Sequence, residues 1–509
     1  MWWALIIVVL AVLVAVTLYG RFSVRMEGAR SWVFPLSEDA TVLDRAVAPL
    51  LAQNPGRTGL RLLTDNIEAF ALRAAAARSA ERSLDLQYYY WKDDLTGSLL
   101  AAEVLKAADR GVRVRLLLDD VNAWRRDSSY RSLDKHPNIE VRLFNPIRYR
   151  EGALLRGIEM VLRFWSLNRR MHHKAWIADG RVAVVGGRNV GDAYFDASEA
   201  SNFRDMDLLV LGPAVGQAEE VFDRYWNSAM AAPIRKLAVW KGRGDLGRLR
   251  RRLETKIAPE RAEPYLERVR SGAAARGLMS GSGLHWTERA SIVSDPPEKA
   301  GSSVNDGWLL DAIVPVITAA RESIEITSPY FIPLDSGTGL LLKLARQGVA
   351  ISVLTNSLAA TDVTAVHGAY MRYRKPLLAG GIRLFELRAR DAARKDMSLF
   401  GSRGASLHTK AFVVDGRYGF VGSFNFDPRS VSLNTEMGLL FEHAGLAQEM
   451  QAVFATETEA KRSYRLVLSG KSVGWQDGGD RVLDNEPEAS WRRRFLAATI
   501  SLLPVESQL

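Results

Sequence analysis

The chain of 509 residues contains no cysteine. This absence excludes disulfides, thiolate metal sites, cysteine nucleophiles and lipidated cysteine anchors. Histidine is scarce, so any imidazole chemistry depends on seven residues: His136, His172, His173, His285, His367, His408 and His443. The rest of the composition, 47% hydrophobic and 25% charged, excludes a mainly disordered or collagen-like chain. The length predicts two or more globular units.

The net charge of the chain is +10, which suits an anionic partner such as nucleic acid or an anionic membrane surface. Residues 2–19, WWALIIVVLAVLVAVTLY, carry no charge and are long enough for a single-pass transmembrane anchor. A cleaved secretory signal is the alternative, but such a signal would have basic residues before the apolar run. Arg21, Arg25 and Arg30 follow the run instead. The positive-inside rule then places the body on the cytoplasmic side.

Two other segments are candidates for lipid contact. Residues 491–500, WRRRFLAATI, are basic and then apolar, and fit either a helix at the lipid interface or a terminal helix docked on the protein. A basic cluster near residue 250 fits either contact with head-group phosphates or a solvated helix face. It consists of Arg248, Arg250, Arg251 and Arg252.

The body of the chain contains two similar β-α-β units. Strand patterns begin at Ser83 and Ser323, and the helical stretches that follow end at Gly111 and Gly348, since glycine commonly stops a helix. Further strand patterns follow each glycine. The two copies lie 237 residues apart, measured from Gly111 to Gly348. We therefore expect an α/β fold of two duplicated lobes, each a mixed and mostly parallel sheet flanked by helices.

One longer pattern occurs once in each half: H-x-K, four residues, D, six residues, G-[GS]-x-N. The first copy consists of His172, Lys174, Asp179, Gly186, Gly187 and Asn189. The second consists of His408, Lys410, Asp415, Gly422, Ser423 and Asn425. The second copy also indicates that His172, and not His173, is the motif histidine, because His408 stands two positions before its lysine.

The spacing of this pattern predicts a shared phosphate site. Residues two apart on a strand face the same side, so each histidine projects with its lysine. The Asp-Gly pairs that begin at Asp179 and Asp415 predict hairpin turns, which return the chain to a small-residue corner and an asparagine. Lysines and asparagine amides can neutralise and hold phosphoryl oxygens. One imidazole can attack phosphorus while the other protonates the leaving oxygen.

Two acidic residues also occupy equivalent places, Asp205 in DMDLLV and Glu436 in EMGLLF. A carboxylate bonded to one imidazole nitrogen orients the ring and makes the other nitrogen more basic. We expect Asp205 to support His172 and Glu436 to support His408. The alternative is that both acids only begin a surface strand.

The other histidines are expected to be structural. His173 alternates away from the site and is predicted to be a packed neighbour, while His136, His285 and His443 belong to no repeated pattern. His367 lies in a helical pattern whose polar and aromatic residues are candidates for a head-group pocket: Tyr370, Arg372, Tyr373 and Arg374. No metal or other cofactor is expected, since lysine takes the role of the cation.

The two H-x-K…D motifs, at 172–189 and 408–425, resemble those of the phospholipase D superfamily. Longer segments, including LNRRMHHKAWIADGRVAVVGGRNVGDAYFD and GASLHTKAFVVDGRYGFVGSFNFDPRSVSLNTEMG, are similar to bacterial cardiolipin synthases, and most of all to the cardiolipin synthase C group. The resemblance begins near residue 45 and extends to the closing LLPVE. In the first copy Gly187 stands where relatives commonly have serine.

The resemblance implies a membrane-bound bacterial phosphatidyltransferase with one active site between the lobes. A motif histidine attacks a phospholipid phosphate, and a glycerol hydroxyl of phosphatidylglycerol then attacks the phosphatidyl-histidine to give cardiolipin. Relatives favour His172 as nucleophile and His408 as acid and base, although the residues alone leave the two roles symmetric. Phosphatidylglycerol and phosphatidylethanolamine are both open as donors, and nucleic acid is not expected as a partner.

Three alternatives use the same motifs: hydrolysis of phospholipids to phosphatidate, a nuclease-type phosphodiesterase, and a non-enzymatic membrane scaffold. The expected organisation is an anchor at 1–20, a juxtamembrane segment at 21–56 and a first lobe at 57–236. A connector at 237–303, a second lobe at 304–463 and a C-terminal extension at 464–509 follow.

Overall fold

The computed structural model describes ten parts of the chain. They are residues 2–21, 26–37, 39–123, 127–150, 153–237, 244–271, 281–301, 308–389, 406–470 and 472–502. Parts of the predicted juxtamembrane segment, connector and C-terminal extension therefore lie outside the described residues, as does most of the closing LLPVE.

The first lobe is built on a nine-stranded sheet. Its strands, numbered along the chain and given in spatial order, are β10 (His285–Thr287), β1 (Thr58–Leu63), β8 (Asp207–Leu211), β6 (Val182–Gly186), β5 (Lys174–Ala178), β2 (Ser83–Tyr88), β3 (Arg113–Asp119), β4 (Ile139–Phe144) and β9 (Ala231–Pro233).

The second lobe repeats this order in its central strands and extends it at one edge. Its strands are β11 (Ala290–Ser294), β18 (Met437–Glu442), β17 (Tyr418–Gly422), β16 (Ala411–Val414), β12 (Ser323–Thr327), β13 (Ala350–Asn356), β14 (Arg383–Leu387), β19 (Ser463–Ser469), β20 (Ser472–Gln476) and β21 (Val482–Leu483). A small parallel sheet joins the lobes through β7 (Phe203–Arg204) and β15 (Ser406–Leu407).

Helices cover the faces and ends of the two sheets. In and before the first lobe they are α1 (Trp2–Arg21), α2 (Val42–Gln53), α3 (Asn66–Ser79), α4 (Leu95–Asp109), α5 (Asp120–Ala123), α6 (Asp127–Leu133), α7 (Ala153–Leu162), α8 (Phe164–Leu167), α9 (Pro213–Trp226), α10 (Leu246–Lys256) and α11 (Pro259–Ser271). The later helices are α12 (Leu309–Thr318), α13 (Leu334–Arg346), α14 (Thr364–Ala379), α15 (Pro428–Ser432), α16 (Ala444–Glu457) and α17 (Trp491–Ile500).

The two β-α-β units predicted from the repeat are confirmed. Strands β2 and β3 pair in parallel across α4, and β12 and β13 pair in parallel across α13. Both helices end just before the predicted glycines, and Gly111 and Gly348 have positive φ angles of 101° and 95°. Glycine adopts such angles without a steric penalty.

The sheets are mixed, as expected, but the prediction that they are mostly parallel is wrong. In each sheet only two neighbouring pairs are parallel, β2·β3 and β3·β4 in the first and β12·β13 and β13·β14 in the second. The physical reason is the length of the connections. A crossover helix permits parallel pairing, whereas a two-residue turn forces the strands that it joins to run antiparallel.

Both predicted hairpin turns are present. Asp179 and Gly180 have φ angles of 53° and 67°, and Asp415 and Gly416 have 51° and 58°. Two successive positive angles match the turn type that Asp-Gly pairs favour. These turns join β5 to β6 and β16 to β17 as antiparallel hairpins.

The lobes share part of their core. One buried cluster combines Ala175 and Val185 of the first motif hairpin with Ala411 and Val421 of the second. The two hairpins are therefore packed against each other, and the residues at their ends meet at the lobe interface. The chain passes from the first sheet to the second between β10 and β11, within the predicted connector.

The basic cluster of the connector lies on α10. Arg250 donates to Asp109 at 2.6 and 2.8 Å, and Arg252 forms an ion pair with Asp93. Arg248 and Arg251 are exposed. These contacts support the interpretation as a solvated helix face with ion pairs to the first lobe.

The C-terminal helix α17 packs against α14, as expected for a docked terminal helix. Ala497 is fully buried, and the Arg493 guanidinium donates to the Thr361 carbonyl at 2.7 Å. Trp491 and Phe495 are exposed. Docking is thus confirmed, and lipid contact by the exposed side stays a prediction.

The N-terminal apolar run forms α1, and its side chains from Ile6 to Ala15 are exposed. Within the described parts of the chain, no helix meets the combined length and apolarity needed to cross a membrane. The predicted single-pass anchor is therefore unconfirmed.

Candidate active site

The motif histidines stand just before the first strand of each motif hairpin. His172 precedes β5 and His408 precedes β16, and both side chains are about nine-tenths buried. Their backbones are held by the other lobe, because the His172 amide donates to the Thr435 carbonyl and the His408 amide donates to the Arg204 carbonyl. Each histidine is thereby placed at the lobe interface.

His172 is paired with a carboxylate of the second lobe. Its Nδ1 lies 2.8 Å from Glu436 Oε2, and Ser423 Oγ donates to the same oxygen at 2.5 Å. The other oxygen, Oε1, accepts from Ser430 Oγ at 2.9 Å. Glu436 is completely buried, so its negative charge is stabilised by these three hydrogen-bond partners and by the nearby lysines.

His408 is paired in the same way with a carboxylate of the first lobe. Its Nδ1 lies 2.5 Å from Asp205 Oδ2, and Asp205 Oδ1 accepts the Met206 amide at 2.8 Å. With Nδ1 bound to an acid, the Nε2 atom of each imidazole is left for chemistry.

The expected pairing of acids and histidines within each lobe is therefore wrong, because both pairs cross the interface. The cause is the backbone contact described above. Thr435 and Arg204, which hold the histidine amides, are the residues immediately before Glu436 and Asp205. A carboxylate one residue farther along the chain then reaches the histidine of the opposite lobe. The interpretation that these acids only begin a surface strand is also wrong, since both are buried.

The motif lysines are buried beside the histidines. Lys174 Nζ donates to the His172 carbonyl at 2.5 Å, and Lys410 Nζ donates to the His408 carbonyl. The charges of the two lysines act on each other and on both histidines. The four residues therefore form one electrostatic unit.

The motif asparagines stand at the ends of β6 and β17, as the spacing predicts. The Asn189 side chain donates through Nδ2 to Tyr194 Oη at 3.0 Å, and the backbone N–H of Asn425 donates to Ser430 Oγ at 3.2 Å. Among the described residues, the buried Oδ1 atom of either asparagine has no hydrogen-bond partner. Each of these oxygens can only accept a hydrogen bond.

Burial decides the resting protonation of the site. It lowers the pKa of His172 to about 4 and that of His408 to about 3, although the paired carboxylates oppose the shift. Burial alone would raise the pKa of Glu436, but the charges of His172 and Lys174 and its hydrogen bonds bring it down to about 2. At neutral pH the histidines are therefore neutral imidazoles and the carboxylate is ionised.

Burial also lowers the pKa of both motif lysines. Loss of hydration lowers the pKa of Lys174 far below its ordinary value and lowers that of Lys410 as well. A phosphate anion beside both ammonium groups would oppose this shift by supplying the opposite charge. The site is therefore electrostatically suited to an anion.

The motif aspartates lie outside the site and brace the strands next to it. The Asp179 carboxylate accepts the amides of Glu81, Arg82 and Ser83. Asp415 accepts those of Arg321, Glu322 and Ser323 in the second lobe. Each aspartate therefore joins the motif hairpin to the start of β2 or β12, a structural role.

The small residues of the motif corner lie close to neighbouring atoms. A Cβ atom at Gly186 would lie 2.3 Å from Asp207 Oδ1, and one at Gly422 would lie 2.5 Å from the Met437 carbonyl oxygen. At Gly187 a Cβ atom would lie 2.1 Å from Asp205 Oδ1. The glycine that replaces the common serine therefore makes room for the carboxylate that binds His408.

Sequence analysis missed several residues that contact the motif histidines or their acids. The Tyr89 and Tyr194 rings lie edge-on to His172 and His408, with centroids 5.0 and 5.2 Å apart. Phe203 lies 5.2 Å from His408, and Ser430 binds Glu436. The aromatic run at 88–91 is a usable signal for Tyr89, whereas Ser430 stands where the first copy has Tyr194, so the repeat does not indicate it.

The remaining histidines have structural contacts. His173 is fully buried with its ring 4.3 Å from that of Tyr225, which confirms the prediction of a packed neighbour. His136 binds Asp109, His443 caps α16, and His285 contacts the His443 ring.

The predicted head-group pocket near His367 is wrong. Arg374 is buried and bonds to His367, Glu386 and Glu486, while Tyr370 and Tyr373 are buried beside it and Arg372 binds the Ser501 carbonyl. The ligand atoms of His367, Glu386 and Glu486 lie within 4.8 Å of one another, a spacing that could hold a metal ion. Arg374 already supplies the positive charge at that place.

A crossed pair of histidine–carboxylate units between duplicated lobes defines a phospholipase D-type site. The family model described as "Cardiolipin synthase, PLD-like domain" matches residues 74–226 and 313–457. The chain belongs to this family, and the resemblance seen in its motifs is confirmed.

The relatives agree with this assignment. The chain is 41% identical over 477 residues to cardiolipin synthase C of Escherichia coli, with 91% of this chain and 99% of the relative covered. It is 28% identical to the cardiolipin synthase of Halalkalibacterium halodurans over 77% of this chain and 64% of the relative. The crystal structure of a phosphatidylserine synthase from Haemophilus influenzae shares the fold, with a TM-score of 0.60, 13% identity, and 92% of this chain and all of that chain covered.

Proposed function

We propose that this chain is a cardiolipin synthase that transfers a phosphatidyl group between phospholipids through a phosphatidyl-histidine. The observation that carries the proposal is the crossed arrangement of His172–Glu436 and His408–Asp205 beside two buried lysines. This arrangement offers one phosphodiester two imidazoles, each supported by a carboxylate, and the positive charge of the lysines. Cardiolipin synthases are also among the relatives that match this chain.

In the first step, Nε2 of His172 attacks the phosphorus of a donor phospholipid. The bond from phosphorus to the head-group oxygen breaks, and His408 gives a proton to that oxygen. In the second step, His408 takes the proton of a glycerol hydroxyl of phosphatidylglycerol. That hydroxyl oxygen attacks phosphorus, the bond to His172 breaks, and cardiolipin leaves.

The resting protonation suits this division of work. His172 is neutral, so Nε2 has a free electron pair, and Glu436 stabilises the positive imidazole that forms when phosphorus is bound. Ser423 and Ser430 hold Glu436 in place during that change. His408 must gain a proton before the first step, and the negative phosphate of the substrate favours that uptake.

We assign the acceptor role to phosphatidylglycerol, and the donor to phosphatidylglycerol or phosphatidylethanolamine. We place the enzyme at the bacterial inner membrane, with residues 1–20 as a single-pass anchor and the body on the cytoplasmic side. The exposed apolar side chains of α1 and the arginines that follow support this placement. The two lobes form the catalytic body, the first with the sheet that ends at β10 and the second with the sheet from β11 to β21.

A substrate with a good leaving group distinguishes the role of the nucleophile from that of the acid. p-Nitrophenol leaves phosphorus without an acid, so His408→Ala should release about one equivalent from a p-nitrophenyl phosphatidyl ester and retain labelled phosphatidyl on His172. His172→Ala should give neither burst nor label. The reverse result would exchange the two roles, and a burst from neither variant would contradict the covalent mechanism.

Product analysis identifies the acceptor and the donor. Wild-type protein in vesicles should make cardiolipin from phosphatidylglycerol, and a labelled phosphatidylethanolamine donor would be measured beside it. Phosphatidate in place of cardiolipin would assign the chain to phospholipid hydrolysis. A protein without residues 1–20 should keep its turnover of a soluble phosphodiester and lose most of its transfer in vesicles, because the anchor keeps the enzyme near its substrates.

A further inference from the structure

Helices α7 and α8 form an apolar surface that the catalytic mechanism does not use. Its exposed side chains are Leu154, Ile158, Met160, Val161, Phe164 and Trp165, and this set is here called the α7–α8 surface. Contiguous exposed apolar surface of this kind marks an interaction site on a soluble domain. Trp165, which forms an aromatic pair with Phe164, is 63% exposed.

The α7–α8 surface lies at the active-site edge of the first sheet. Strand β4 ends at Phe144 at the same edge where β5 begins, because β2 is parallel to β3 and β4 in one direction and antiparallel to β5 in the other. The chain between β4 and β5 contains α7 and α8 and ends at His172. Asn145 holds the end of α8 through bonds to the Ser166 and Arg169 carbonyls at 2.8 and 2.9 Å.

A second connection runs from α8 to the carboxylate of the site. Arg429 of α15 donates to the side-chain and backbone oxygens of Asn168, just after α8, at 3.0 and 2.7 Å. The next residue of α15 is Ser430, which donates to Glu436. The α7–α8 surface therefore lies on the side of the first lobe where the elements that hold His172 and Glu436 meet.

The charge of this segment fits an anionic surface. Glu159 is the one acidic residue between 153 and 167, and it is buried, paired with Arg163 at 2.7 Å and bonded to the Arg148 and Tyr149 amides. The exposed side of the two helices thus combines apolar residues with the partly exposed Arg156 and carries no carboxylate. Aromatic and aliphatic side chains with basic neighbours are typical of helices at the lipid interface.

The N-terminal helix lies next to α7. Helix α1 packs against α7, and its side chains at Ile6, Ile7 and Val8 are exposed. A second helix with exposed apolar side chains is therefore adjacent to the α7–α8 surface.

We infer that the α7–α8 surface inserts into the interface of an anionic bilayer and so holds the sheet edge that carries His172 near the level of the lipid phosphates. The inference rests on the proposed lipid substrate and extends it, because it names the element that presents the site to the membrane. It concerns the bilayer surface, whereas the anchor at 1–20 concerns attachment.

Site-directed labelling tests the inference directly, because the chain has no native cysteine. Full-length Trp165→Cys would carry an environment-sensitive fluorophore and be mixed with phosphatidylglycerol-containing vesicles that bear nitroxide-labelled acyl chains. Leu468→Cys, at an exposed apolar position on β19 of the second lobe, is the matched control. We expect strong quenching at position 165 and little at position 468.

A functional experiment gives an independent result. The full-length Phe164→Ser/Trp165→Ser variant should lose about tenfold in cardiolipin formation on vesicles, since two buried aromatic contacts with lipid are removed. Its turnover of a p-nitrophenyl phosphodiester in detergent micelles should remain within about twofold of wild type, since neither side chain contacts the site. Leu468→Ser serves as the control in both assays.

Each outcome has a defined meaning. Equal quenching at positions 165 and 468 would overturn the inference even if cardiolipin is formed. Quenching at position 165 would support it even if the reaction proved to be hydrolysis, so the proposed function can fail separately. If the label at position 165 is protected without lipid and sedimentation shows a dimer, the surface belongs to a contact with a second copy of the chain. That result would overturn the lipid assignment.

Discussion

The two halves of the active site perform equivalent tasks with different side chains. The half around His172 uses glutamate, whose carboxylate accepts hydrogen bonds from Ser423 and Ser430. The half around His408 uses aspartate, whose second oxygen is held by the Met206 backbone amide. The longer acid is fixed by hydroxyls and the shorter acid by the main chain.

This difference shows that the length of the acidic side chain and the identity of the residue at the motif corner depend on each other. Asp205 lies so near the first motif corner that any side chain at position 187 would displace its carboxylate. Glu436 leaves room at the second corner for Ser423, which then supplies a hydrogen bond. In a duplicated fold, the acid and the corner residue can therefore change together. The distance from carboxylate oxygen to imidazole nitrogen still stays between 2.5 and 2.8 Å.

The largest effect should come from the histidines themselves. His172→Ala and His408→Ala should each lower cardiolipin formation by about 10⁴-fold or more, because each removes a separate chemical role. Product formation in vesicles measures this loss. His173→Gln is the matched control and should cost far less, and an equal loss there would place the wrong histidine in the site.

The carboxylates should have the next largest effect. Glu436→Gln and Asp205→Asn keep the shape of the side chain but remove the charge that supports an imidazolium, so each should lower the rate by about a hundredfold or more. The downfield NMR signal of the His172 Nδ1 proton should change in Glu436→Gln and persist in Asp205→Asn. A response of His172 to Asp205→Asn alone would contradict the crossed pairing.

Exchanging the corner residues should have a smaller effect. Gly187→Ser places a Cβ atom against Asp205 and should lower the transfer rate about tenfold by displacing that carboxylate from His408. Ser423→Ala removes one hydrogen bond to a charged group and should cost a similar factor, about tenfold. A Gly187→Ser variant with wild-type rate would show that the first corner tolerates serine.

The smallest effect concerns stability at mildly acidic pH. The pKa of both motif histidines is lowered by burial, so the folded state binds fewer protons than the unfolded state below pH 6.5, and stability is lost as the pH falls through that value. The loss from Glu436 begins only below its ordinary value near 4.5. The contribution of these two histidines to stability should therefore fall between pH 7 and pH 5. It is opposed by Glu219 and Asp427, because burial raises the pKa of each carboxyl to about 7.

Matched variants can assign that pH dependence. Relative to wild type, His172→Gln and His408→Gln should each lose less melting temperature, or gain more, between pH 7 and pH 5, because each removes one group that binds a proton in the unfolded state. An unchanged slope in both variants would assign the dependence to other groups.

Sequence analysis predicted the parts of the site that depend on short-range spacing. Strand alternation places His172 with Lys174, the Asp-Gly turn returns the chain to Asn189, and repetition of the pattern assigns the same roles to the second half. Asp179 and Asp415 could be placed near the turns but not paired with the strands that they brace. Those partners are about 90 residues or more away along the chain.

The amino-acid sequence by itself therefore determined the duplicated β-α-β units and the motif hairpins, because each depends on neighbours within one element or turn. Repetition of the motif added which residues of the two halves have equivalent roles. Only the tertiary structure decided which acid supports which histidine and why Gly187 has no side chain. Both depend on how one lobe's backbone packs against the other, through the contacts of Thr435 with His172 and of Arg204 with His408. Contacts between distant segments leave no mark in local spacing, so they become visible only when the chain is folded.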